Sequence, residues 1–148
     1  MPKSAAARVE DVALLETLNN VRVAFVRRIT LRHEGGSEDR FAVDLGMRGV
    51  FVERAEPLPK GAAVQVGFLL PGNAIPFEAA CRVAWWHPPG AALVSKELPG
   101  GLGLEFVKFS VWDHDRLRRF LLAHLRRSGG RRFHRQWPDS ADAGEDVP

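Results

Sequence analysis

Apolar and polar residues alternate with a period of two along most of the middle of this chain. Over 21–33, Val21, Val23, Phe25, Ile29 and Leu31 fall on one face and Arg22, Ala24, Val26, Arg28, Thr30 and Arg32 on the other, which predicts a long strand with one packed and one wet face. Arg27 breaks the apolar face, and Glu34-Gly35-Gly36-Ser37 reads as the hairpin that ends the strand. Further strand-like runs follow over 40–44, 49–53, 62–70, 75–86 and 102–108, separated by turn residues such as Pro59-Lys60-Gly61 and Pro71-Gly72-Asn73. Six strands at this spacing predict an all-β barrel or sandwich.

The two ends of the chain change period. Val9, Val12, Leu15 and Leu18 stand at helical spacing, with Glu10 and Asp11 where a helix dipole favours acids. Residues 1–20 are therefore expected to be a lead-in with a short helix. Ser110-Val111-Trp112-Asp113 has the form of a helix start, and Leu117, Phe120, Leu121, His124 and Leu125 then repeat at helical spacing. The opposite face carries Arg116, Arg118, Arg119, Arg126 and Arg127, so an amphipathic helix is expected to cap the strands. Residues 21–127 make one domain on this reading. From 128 to 148 the chain turns from basic to acidic with few apolar residues, too few to offset the ordering entropy, and a disordered tail is expected.

Composition narrows the function class. A chain of 148 residues with 45% apolar content suffices for one compact domain. The formal charge of +3 leaves room for an anionic ligand without requiring nucleic acid, for which a short solvated tail is the simpler account. The single cysteine, Cys81, lies on the apolar face with Phe77, Ala79, Val83 and Trp85 and is expected to be a buried, inert thiol. Trp85 and Trp86 are adjacent, so they should face opposite ways, with one ring partly exposed. No long apolar run follows the N-terminal lysine, and a cytoplasmic protein is expected. Five histidines fall at no metal-ligand spacing, and no paired carboxylates, nucleophile elbow or phosphate loop are present. The chain reads as a binding protein with no catalytic residues, no metal and no resident cofactor.

The candidate site is the corner Asp44-Leu45-Gly46-Met47-Arg48-Gly49 between two strand-like runs. Glycines there allow a tight, ligand-accessible turn, and the aspartate can accept hydrogen bonds from a base edge or a guanidinium. With Pro57-Leu58-Pro59-Lys60-Gly61 and Gly101-Leu102-Gly103-Leu104-Glu105-Phe106 after it, the corner resembles the PilZ family, small bacterial barrel domains that typically receive cyclic di-GMP. The resemblance spans about residues 21–127 and implies a six-stranded PilZ-like β-barrel.

The family's Asp/Asn-x-Ser-x-x-Gly signature reads here as Asp44-x-Gly46-x-x-Gly49, with glycine in the serine slot. Its other signature, Arg-x-x-x-Arg, precedes the first strand. If Arg22 matches the second arginine, the first falls on Leu18. Arg28-Ile29-Thr30-Leu31-Arg32 spells the motif literally but lies deep in the strand, where a solvated basic face is the better reading. Arginine's planar fork suits both phosphate and guanine, so a missing arginine and a missing hydroxyl together remove roughly 2 to 4.5 kcal/mol, about 30- to 2,000-fold in affinity. The resemblance therefore implies a degenerate cyclic di-GMP site at Arg22, Asp44, Gly46, Arg48 and Gly49. The expected role is a regulatory adaptor working through a protein partner of a motility or polarity system. The alternative is a working receptor for cyclic di-GMP that uses Arg22, or Arg28 with Arg32, together with Asp44 and Gly49.

Overall fold

The computed structural model describes residue 18 and residues 22–89 and 100–127. Six antiparallel strands run in the order expected from the alternation: β1 (Arg22–His33), β2 (Gly36–Gly46), β3 (Gly49–Glu53), β4 (Ala63–Phe68), β5 (Phe77–His87) and β6 (Gly101–Lys108). They close into a barrel with the order β1-β2-β3-β6-β5-β4, in which the β1–β4 seam is only three residue pairs long. One helix, α1 (Val111–Arg127), follows. The predicted lead-in helix and the tail lie outside the described residues, apart from Leu18, which is helical.

The apolar face of β1 points inward as predicted: Val23, Phe25, Ile29 and Leu31 are buried with the inner residues of the other strands. Arg27 finds its explanation in the register. Ala24 pairs with Asp44 and Arg27 with Ala42, three steps on β1 against two on β2. The extra residue is a bulge, and it turns both Val26 and Arg27 to solvent. A second bulge lies in β2, where Ala42 faces Val52 and Asp44 faces Phe51. Asp44 thus stands beside a register irregularity in the pairing of β2 with each of its neighbours, β1 and β3.

Helix α1 starts as its sequence predicts, with Ser110 Oγ accepting the Asp113 N–H at 3.0 Å. Leu117, Leu121 and Leu125 enter the core, worth about 5 to 9 kcal/mol as an upper estimate. The polar side of the joint is also specified. Arg116 donates to the Ile75 carbonyl at 2.7 Å and the Pro76 carbonyl at 3.0 Å, while Asp113 pairs with Arg116 and accepts the Glu78 N–H. Phe120 meets Phe25 edge-on at 5.5 Å between ring centres. The helix is fastened to the barrel, and its packing is intramolecular.

Two expectations about single residues divide. Cys81 is buried, and burial pushes its thiol up to about 12, which makes it inert as expected. The tryptophans do face opposite ways, but neither ring is exposed: Trp86 joins the core, and Trp85 stacks on Phe51 at 5.2 Å on the other face of the sheet. Gly103 makes this possible, because a Cβ there would stand 1.8 Å from Trp85 Nε1.

Glu38 on β2 gathers the guanidiniums of Arg54 and Arg40 and the His33 ring, with Arg54 reaching both carboxylate oxygens at 3.1 Å. The Arg54 fork first, then the His33 and Arg40 hydrogen bonds, overcome the desolvation that opposes them and hold the Glu38 carboxyl down at about 2, from 4.5. A carboxyl depressed in the folded state stabilises the fold above its unfolded value and loses that contribution as pH falls toward the folded one. Thermal melts should therefore lose stability from about pH 4.5 down to about pH 2, and Glu38→Gln should flatten that part of the profile relative to wild type.

Candidate functional site

The corner between β2 and β3 is two residues long, Met47 and Arg48, and Arg22 enters beside it because it pairs with Gly46 across the β1–β2 ladder. From that position the Arg22 Nε donates to Asp44 Oδ1 at 2.6 Å, and Nη2 donates to the Asp44 carbonyl at 3.3 Å. Alternation predicts Arg22 on the wet face; instead its side chain is 3% exposed and that of Asp44 is 6% exposed. A guanidinium taken out of water requires a carboxylate beside it, and Asp44 is the residue that the strand register delivers. In this corner the Asp44 carboxylate is turned from solvent and bonded to Arg22.

Leu18, which takes the slot of the family's first arginine if Arg22 is matched to the second, is 1% exposed and belongs to the core cluster. Gly46, in the serine slot, is buried. Gly49 is buried too, and its role is clearance rather than unusual backbone: a Cβ would stand 2.0 Å from the Leu104 carbonyl oxygen on β6. The glycines with positive φ are Gly36, Gly61 and Gly72, at other turns. Arg48 remains solvent-exposed, while its carbonyl accepts the Phe106 N–H at 2.8 Å.

The structure does not bring the other arginine pair to this corner. Arg28 and Arg32 sit opposite Phe41 and Ser37, whereas Asp44 sits opposite Ala24. At about 3.3 Å per residue, that places them about 13 and 26 Å further along the strand. Both line a separate cleft of about 510 Å³ over the β1–β4 seam, together with Arg27. Among the described residues, no three His, Cys, Asp or Glu side chains come together to hold a metal, and no helix is long and apolar enough to cross a membrane.

A closed six-stranded antiparallel barrel followed by a helix packed on it defines a small β-barrel class of domain. The profile of the PilZ domain family matches residues 17–123, and the chain belongs to that family, whose members are generally binding or adaptor domains and not enzymes. Two solved structures align with the chain. The Bacillus subtilis inhibitor of motility (MotI/DgrA) aligns with a TM-score of 0.59 at 16% identity, over 76% of this chain and 52% of its own. The chain thus spans about half the length of that protein. The PilZ domain of CeSA from a cellulose-synthesizing bacterium aligns with a TM-score of 0.46 at 13% identity, over 70% of this chain and 96% of its own. No curated relative matches the chain in sequence.

Two features escape the sequence reading. The burial of Arg22 needs a partner 22 residues away, which no local pattern announces. The Glu38–Arg54 pair joins β2 to the chain after β3 across 16 residues and carries no motif. Arg27, by contrast, is foreshadowed, since a charge on the apolar face of a long strand marks a bulge.

Proposed function

We propose that this PilZ domain is a regulatory adaptor that acts through protein contacts in a motility or polarity system, and that its cyclic di-GMP site is degenerate. The observation that carries this reading is the Arg22–Asp44 pair, two ligand-binding positions of the family bonded to each other and nearly sealed from water. Leu18 in the core, where a second guanidinium would be needed, points the same way. The setting follows from the family and from the shared fold with a protein named for inhibiting motility. To recruit the nucleotide, Arg22 would have to leave its carboxylate, and breaking a buried pair costs several kcal/mol.

Calorimetric titration with cyclic di-GMP is expected to give no saturable heat at a nucleotide concentration of about 100 µM, a free-energy ceiling of roughly 5.5 kcal/mol. Low-micromolar binding that Arg22→Ala abolishes would establish a working receptor instead.

A further inference from the structure

Six arginines lie on the strands: Arg22, Arg27, Arg28 and Arg32 on β1, Arg40 on β2 and Arg82 on β5. Arg22, Arg40 and Arg82 are each matched with a carboxylate, from Asp44, Glu38 and Glu105. The other three line one cleft. Arg27, Arg28 and Arg32 are all exposed, and none has a carboxylate among the described residues within ion-pair distance. Guanidinium groups without a carboxylate, of which that of Arg28 also lies over the Phe41 ring at 5.6 Å, are gathered over a cavity of about 510 Å³ and make an anion-selective surface.

The cleft follows a break in the barrel wall. Strands β1 and β4 pair only over Thr30–Gly67, Leu31–Val66 and Arg32–Gln65. Beyond Thr30, β4 ends at Phe68 and the chain continues as Leu69, while the bulge in β1 turns Arg27 outward over the opening. The result is a trough along β1 with guanidinium groups on one side. On the other side are Leu69, 44% exposed, and Pro76, with the 54% exposed Ile75 next to it.

We propose that this trough docks an acidic segment of a partner protein, in which glutamate or aspartate alternates with apolar residues and which lies extended along β1. Arg28 and Arg32 are four strand residues apart, about 13 Å, the separation of side chains at i and i+4 in an extended peptide. Carboxylates on one side of such a segment meet the guanidinium forks, and the apolar side chains between them meet Leu69 and the Ile75–Pro76 turn. A stacked nucleic-acid strand fits less well. The one aromatic ring in the lining, Phe68, is 4% exposed and engaged with Phe25 and Phe77, which leaves no platform for a base.

This inference names a partner surface within the adaptor reading and rests on it, but it is read at a different place on the barrel from the Arg22–Asp44 corner. The probe is a fluorescein-labelled peptide of about ten alternating glutamate and leucine residues, followed by anisotropy at low salt. Micromolar binding is expected, with a loss of about tenfold in Arg32→Gln and about 30-fold or more in Arg28→Gln combined with Arg32→Gln. Lys108→Gln, at an exposed cation outside the cleft, should bind as wild type, the glutamine version of the peptide should not bind, and the melting temperatures of the variants should match wild type. Absence of binding to the wild-type chain, or equal binding by the Arg28/Arg32 variant, overturns the inference. So does displacement of the peptide by oligo-dT or by cyclic di-GMP at lower concentration. Nucleotide binding that depends on Arg22, measured separately by calorimetry, would overturn the adaptor reading and not the docking site.

Discussion

Asp44→Ala should destabilise the domain by about 3 to 5 kcal/mol, because it removes the carboxylate from a guanidinium that is 3% exposed. For a domain of this size each kcal/mol corresponds to several degrees, so the melting temperature should fall by about 12 °C or more. The design of the pair makes a sharper comparison available. Replacing both partners, Arg22→Met with Asp44→Leu, removes the charge that would otherwise stay buried, and it should restore most of the lost stability. Chemical denaturation of the wild type, the single variant and the double variant gives all three values. A family ligand-binding carboxylate that merely faced solvent would show a change within about 0.5 kcal/mol on substitution.

Gly49→Ala should be comparably damaging for an unrelated reason. The added methyl would stand 2.0 Å from the Leu104 carbonyl oxygen, and that oxygen belongs to the backbone of β6, which cannot swing aside as a side chain can. Val50 pairs with Leu104 and Gly49 with Glu105, so relief of the clash must separate β3 from β6 where the barrel is closed. The expected cost is about 3 kcal/mol or more, visible as a lower melting temperature and as faster amide exchange along β3 and β6. A change within about 0.5 kcal/mol would show that the two strands are not held this closely. The glycine at this signature position is thus a requirement of the fold, whatever the corner binds.

The alternation of apolar and polar residues carries most of the architecture. Val23, Phe25, Ile29 and Leu31 face inward as their spacing requires, and the helix start at Ser110 is written in its side chains. The strand ends are less legible. β2 begins at Gly36 and not at Arg40, because Ser37, Glu38 and Asp39 are polar on both faces and take their extended form from pairing with Arg32, Leu31 and Thr30. β4 is shorter than the run 62–70 because its pairing with β5 ends at Phe68.

The site was legible in its residue types and not in its state. Asp44, Gly46 and Gly49 can be picked out by the turn they make and by their likeness to a family signature. Whether the Asp44 carboxylate faces a ligand or a neighbour depends on the register that sets Arg22 against Gly46, and periodicity places Arg22 on the wrong face. Leu18 is similar: its lack of charge is plain in the sequence, but its burial, which commits the position to the core, is a tertiary fact.

The most direct test of the central claim is an NMR measurement of the Arg22 Nε–Hε group while cyclic di-GMP is added. A guanidinium bonded to Asp44 at 2.6 Å and sealed from water should give a slowly exchanging Hε signal that stays in place as the nucleotide is raised to millimolar concentration. A signal that shifts and saturates at micromolar nucleotide would mean that Arg22 leaves Asp44 for the ligand, and it would contradict the account.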